Sequence, residues 1–264
     1  MRRTTARIAI VGVLLAASVA TGLAQRRGGP GGGRGPRFGG GSGAPILPNL
    51  PYDGTFTFIR LRYGPPISYQ TQRVSWSHDY PEGEKHFMKI LNELSYLAPH
   101  IDQSNVVGLD DPELFKHPLS YMCEPGRWDM TDLEAANFRA YLAKGGFVFF
   151  DDYRGAREWD NFEFQMQRVI PNGRWVDLEL SNPVFHAFFE IKTLDVPQYY
   201  DRGTPVFRAI FEDNDPAKRI VALANFNTDI SEYWEFSDTG FKPIDESNEA
   251  YKLGVNYIIY GMTH

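Results

Sequence analysis

Two adjacent acids, Asp151 and Asp152, stand where an apolar run ends in GGFVFFDDYRG, residues 145 to 155, and Arg154 follows them. Paired carboxylates can supply a nucleophile or base and an acid when their surroundings split their pKa values. Two further acids are suited to share that work: Asp79, next to His78 in SWSHDYPEGEK, and Glu124, next to Cys123. Hydrolysis would then use Asp151 or Asp152 as nucleophile or base and Asp79 or Glu124 as acid, with Arg154 or Arg62 steadying developing charge. The same acids have a structural use, because carboxylates cap the bare N–H groups that open a helix. Successive side chains of an extended chain point to opposite faces, so Asp151 and Asp152 are expected to do different jobs. His78 reads as a loop residue, and Cys123 as a small buried one that a neighbouring carboxylate would keep from ionising.

The elements that must position these residues follow from periodicity. TFTFIRLRY, residues 55 to 63, alternates and is rich in β-formers, which predicts a strand. Phe87, Ile90, Leu91, Leu94 and Leu97 form one apolar helical stripe before Pro99. Strands are predicted near residues 105–109 and over PLSYMC, 118–123, with a helical turn begun by Asp110-Asp111-Pro112 between them. Thr131 and Glu134 make a capping-box pair opening a helix with Leu133, Ala136, Ala140 and Ala143 along its inner side. Gly145 ends that helix, and GFVFF is a strand apolar on both faces, as in a parallel sheet. WDNFEFQMQRVI, 159–170, reads as a helix, RIVALANF, 219–226, as a buried strand, and the closing segment 247–262 as a helix with Ala250, Leu253, Tyr257 and Ile258 inward. Alternating strands and helices imply a layered α/β fold with a mostly parallel central sheet.

Ligands of open α/β sheets bind outside the carboxyl ends of the strands. That rule predicts a crevice lined by Arg62, Tyr63, Trp76, Asp79, Glu124, Asp151, Asp152, Tyr153, Arg154 and Asn225. A divalent cation on Asp79, Asp151 and Asp152 is a further option. The chain has no contiguous run of oxygen ligands, and Cys123 has no Cys or His at zinc spacing, so neither metal nor cofactor is expected.

The N-terminus carries different information. Arg2, Arg3 and Arg7 precede an apolar run from Ile8 to Ala24, with Gly22 and Ala24 suited to signal cleavage. Residues 1–24 are expected to be a signal peptide for ordinary export to the periplasm or envelope; left uncleaved, they would tether the chain to the membrane. Residues 25–51 read as a flexible linker, since ten of residues 28–43 are Gly and there is almost nothing to bury. Residues 52–264 suit one α/β domain. Removing the seven basic residues of the leader and linker leaves 20 basic against 33 acidic residues, a net −13 that disfavours nucleic acid. The single cysteine excludes an internal disulfide.

IRLRYG at 59–64, SWSHDYPEGEKHFMKILNEL, the block from HPLSYMC to GGFVFFDDYRG at 117–155, and the closing ALANFNTDISEYWEF and EAYKLGVNYIIYGMTH resemble a bacterial family known as domain of unknown function 4159. The likeness covers about residues 54–263. It implies a three-layer sandwich like that of class I glutamine amidotransferases, which is flavodoxin-like, and no established activity. Amidotransferases of that class carry a nucleophilic Cys at the elbow where this chain has FFDDYRG, and a later His and Glu; no downstream His-x-Glu is present here. Cysteine-dependent glutamine hydrolysis is therefore not expected. The reading that follows is a non-catalytic envelope module binding a ligand or partner through the strand-tip crevice. A carboxylate-dependent hydrolase acting on a carbohydrate or envelope polymer is the alternative.

Overall fold

The strand predicted in TFTFIRLRY forms as β1, Ile59–Arg62, and its alternation sends Ile59 and Leu61 to one face of a sheet and Phe58 and Arg60 to the other. The computed structural model describes residues 45–64, 75–196 and 203–264. The expected leader and most of the expected linker lie outside the described residues.

The remaining strands are β2 (Asn105–Gly108), β3 (Leu119–Cys123), β4 (Phe147–Tyr153), β5 (Val176–Asp177), β6 (Val206–Phe211) and β7 (Ile220–Phe226). They form one sheet in the order β2-β1-β3-β4-β7-β6-β5. The first five run parallel; β6 is antiparallel to β7 and β5 to β6. The helices are α1 (Glu82–Leu94), α2 (Asp132–Ala143), α3 (Gly155–Val169), α4 (Ile230–Glu235) and α5 (Ile244–Thr263). Helices α1, α4 and α5 cover one face of the sheet around Phe87, Trp234 and Tyr257, while α2 and α3 cover the other around Phe138 and Phe162. The fold is thus α/β with a mostly parallel seven-stranded sheet. No helix among the described residues is long and apolar enough to cross a membrane.

Local signals act as expected in the middle of the chain. The Thr131 hydroxyl accepts from the Glu134 amide, and the Glu134 carboxylate accepts from the Thr131 amide. Gly145, at φ 108°, lets its amide reach Leu142 O while that of Gly146 reaches Tyr141 O, closing the end of α2. The inner face of α2 differs from expectation. Leu133 is 67% exposed and Ala136, Ala140 and Ala143 face solvent; Ala135, Phe138, Tyr141 and Leu142 are buried. Two aromatic rings bury far more apolar area than three alanine methyls, so they set the rotation of the helix. α1 ends at Leu94, before Leu97, because Ser95 turns extended and its hydroxyl donates to Leu91 O. α3 begins four residues before Trp159, at Gly155, whose φ of 71° makes the sharp exit from β4. Residues 49 and 50, expected in the linker, hydrogen-bond to Asn105 and Val106 on the outer edge of β2.

One charged side chain runs through the core. Arg60 is 1% exposed and pairs through Nε with Glu84 of α1. Its Nη1 donates to Trp76 O and His78 O, each at 2.9 Å, and its guanidinium lies 4.9 Å from the Tyr121 ring centre. Removing one member of such a pair strands the other charge in the interior, which costs about 3–5 kcal/mol. Arg60→Met should lower urea-unfolding stability by that amount, and adding Glu84→Leu should recover most of it; single and double variants that unfold alike would mean the pair is not a coupled unit.

Candidate functional site

The carboxyl ends of β1, β3, β4 and β7 lie side by side, and residues 75–80, ahead of α1, pack against them. That segment contains a short 3-10 turn, Ser75–Ser77, followed by His78, Asp79 and Tyr80. Arg60 fixes it from below by holding two of its carbonyls. The result brings His78, which reads in sequence as a loop residue, against the tips of β3 and β4. His78 Nδ1 lies 2.6 Å from Asp152 Oδ2 and 3.9 Å from Glu124 Oε1; its Nε2 lies 3.7 Å from Asp79 Oδ1. Cys123 Sγ is 4.0 Å from Asp152 Oδ2.

Asp151 and Asp152 diverge in role, and a bulge between β4 and β7 at this point breaks the strand alternation. Asp151 is fully buried and caps α4, a helix far along the chain rather than the one that follows it. Its Oδ2 accepts from the amides of Ile230 (2.8 Å) and Ser231 (3.0 Å), and its Oδ1 accepts from Thr228 Oγ1 (3.1 Å) and Asn225 Nδ2 (3.3 Å). Asn225 is held in turn by Tyr257, whose hydroxyl donates to Asn225 Oδ1 at 3.0 Å. Asp152 instead joins His78 and the guanidinium of Arg154, which also lies 3.6 Å from Asp229 Oδ2.

The other expected lining residues divide. Tyr63 donates its hydroxyl to the carbonyls of Cys123 (3.1 Å) and Glu124 (2.7 Å), bracing the β3 tip. Glu124 is partly open, with 19% of its side chain exposed. Trp76 and Tyr153 do not line a crevice: both are fully buried, Tyr153 among Trp159, Phe162 and Phe226. Their apolar rings gain more from the core than from a wet edge. The guanidinium of Arg62 lies beside Gly108 of β2. Sequence reasoning also passed over Asp229 and Ser231. Ser231 Oγ accepts from Tyr121 and donates to Asp79 Oδ2 at 2.6 Å.

Three of these residues hold backbone conformations that side chains disfavour. Asp79 (φ 61°), Glu124 (φ 47°) and Asp152 (φ 57°) are all left-handed. Such conformations cluster where surrounding contacts over-determine the chain, often at functional sites. Electrostatics are equally uneven. Burial alone would lower the His78 pKa, but the charge of Asp79 and the hydrogen bond to Asp152 outweigh it and hold the imidazole protonated. Burial would raise Asp152, yet His78 and Arg154 bring it below the usual carboxylate range. Glu124 moves the other way, raised by burial and by the charge of Asp152. Burial pushes the Cys123 thiol up, despite a lowering contact with His78, so it is not an activated nucleophile.

Asp151→Ala leaves two helix-opening amides bare in the interior, at about 1–3 kcal/mol each, so urea titration should register a loss of about 3–5 kcal/mol. Burial, opposed by the Ser231 amide, raises Asp151 to about 6. The folded state then holds this proton more tightly than the unfolded chain. Its stabilising effect is complete below about pH 4 and is lost as pH rises through about 6. Stability should fall across that window, and Asp151→Asn should flatten the fall. Glu124→Gly, which removes the left-handed penalty, should raise stability by about 1 kcal/mol; a decrease in melting temperature would show that Glu124 is held by contacts worth more than its strain.

Among the described residues the arrangement offers several acids, an imidazole held protonated and a buried thiol. A comparison with curated proteins finds no match. The family model described as "Domain of unknown function (DUF4159)" matches residues 57–262, from the strand carrying Arg60 to the end of α5, and the chain belongs to that family.

Proposed function

We propose that this domain is a non-catalytic binding module of the cell envelope, and that its strand-tip crevice recognises a positively charged ligand. One observation carries the reading. Asp79, Glu124, Asp152 and Asp229 converge on one place, opposed by His78 and Arg154, and two of their oxygens are buried without a hydrogen-bond donor, Asp79 Oδ1 and Asp229 Oδ2. Their nearest cations, His78 Nε2 at 3.7 Å and Arg154 Nη2 at 3.6 Å, lie beyond hydrogen-bond reach, and a cationic ligand would complete both oxygens. The order β2-β1-β3-β4, which reverses between β1 and β3, supports the flavodoxin-like, amidotransferase-like arrangement that the family resemblance implies. In such sheets the reversal is where ligands sit, and Tyr63 and Glu124 stand on its two sides. The charged leader and apolar run of residues 2–24 support export, with a membrane tether if the segment is retained. The acidic surface argues against nucleic acid as partner.

A second reading, a carboxylate-dependent hydrolase of a carbohydrate or envelope polymer, has one observation in its favour. The environments of Glu124 and Asp152 push their pKa values apart, up for Glu124 and down for Asp152, as an acid–base pair requires. Against it, Asp152 is only 3% exposed and Asp151 is committed to α4.

Thermal-shift titration discriminates the two. Putrescine, spermidine, glucosamine and divalent metal chlorides should include stabilisers, citrate and sulfate should not, and Asp152→Asn should abolish the shift. Stabilisation by anions alone would overturn the reading, as would turnover of an envelope polymer that Asp152→Asn abolishes.

A further inference from the structure

We infer that the crevice holds a transition-metal ion of the zinc type, bound by His78, Asp79, Cys123 and Asp152. One ligand atom from each of the four lies within 4.8 Å of the other three. The sequence gives no hint of such a set. Cys123 has no partner at zinc spacing, and His78 reaches it only because Arg60 bends the loop after β1 over the tip of β3.

Three features favour this ion over calcium or magnesium. The ligand set is nitrogen, sulfur and two oxygens, whereas the hard cations take six or more oxygens. Four ligands suit the tetrahedral preference of zinc. Asp79 also points to an absent ligand: it is 1% exposed, its Oδ2 is taken by Ser231, and its Oδ1 has no hydrogen bond, with His78 Nε2 standing off at 3.7 Å. The outer shell is already in place. Ser231 orients Asp79, with Tyr121 donating to Ser231 behind it, and Arg154 holds the second oxygen of Asp152. Metal sites require such partners to fix their ligands.

Loading is an exchange of protons for metal. The Cys123 thiol gives up its proton as the metal–sulfur bond forms, and the imidazolium loses one N–H as the metal–nitrogen bond forms; both protons pass to solvent. His78 Nδ1 and Asp152 Oδ2 are hydrogen-bonded at 2.6 Å. If both bind the ion they must open by about 0.7 Å, given metal–ligand bonds of about 2.0–2.2 Å.

This inference rests on the cation-binding reading and narrows it. The full chain, stripped with chelator, is titrated with cobalt(II) chloride, whose thiolate complexes absorb in the near ultraviolet. One equivalent should bind and produce the thiolate-to-cobalt charge-transfer band, with zinc chloride displacing it. Cys123→Ser should lose the band, Asp79→Asn should weaken binding, and Arg154→Gln should weaken it about 10-fold. Circular dichroism checks that each variant is folded, and Asp79→Asn carries the test if Cys123→Ser is not. Cobalt bound without the band, or with affinity unchanged by Cys123→Ser and Asp79→Asn, overturns the four-residue site while the broader reading stands. Failure of every cation to bind overturns both.

Discussion

The buried Arg60–Glu84 pair is the constraint on which the cluster of side chains at the strand tips depends. A guanidinium in the middle of β1 is tolerable only because Glu84 neutralises it and two carbonyls use its remaining donors. Those carbonyls belong to Trp76 and His78, so one ion pair ties a strand, a helix and the loop between them. That tie fixes the backbone at His78, and the bond to Asp152 fixes its ring beside the β3 and β4 tips. Arg60 touches none of the acids at the mouth, yet it determines what they face.

The second organising feature is the penalty of burying so many carboxyl groups, which raises Asp79 and Asp229 well above the usual carboxylate range. Asp151 meets it by accepting four hydrogen bonds, and Asp152 by meeting two cations. Asp79 and Asp229 each keep an oxygen without a donor. Left-handed backbone at Asp79, Glu124 and Asp152 adds strain of about 1–3 kcal/mol per residue. A domain stabilised by about 5–15 kcal/mol keeps such a region only if the surrounding sheet is secure. β4, buried at every position, and the aromatic packing of Phe87 on Trp234, 4.3 Å apart, supply that security.

Local chemistry was legible in the sequence and long-range chemistry was not. The apolar stripe of α1, the Thr131–Glu134 box and the stop at Gly145 each depend on residues within a few positions, and all form, the stripe as far as Leu94. The strand-end rule also places Glu124, Asp152, Arg154 and Asn225 near sheet tips, where β3, β4 and β7 end. What escaped depends on contacts across the chain. β6 and the short α4 draw their support from β7, α1 and α5 rather than from their own pattern. Asp151 caps a helix nearly eighty residues away, and His78 finds Asp152 at a similar separation. Arg60 did leave a trace: in FTFIRLRY it falls on the same face as Phe56 and Phe58, an inward charge that demanded a partner.

The outer edge of β2 carries a different consequence. Asn49 imitates a missing strand there, donating from Nδ2 to Val106 O and accepting the Val106 amide on Oδ1, both at 2.9 Å, while Leu50 exchanges two bonds with the Asn105 side chain. Exposed parallel edges are templates for unwanted pairing between chains. The last residues before Tyr52 therefore act as a guard rail, and a chain shortened to begin at Tyr52 would present a bare ladder to its neighbours. Solubility of this domain is written partly in a segment whose composition reads as mere spacer.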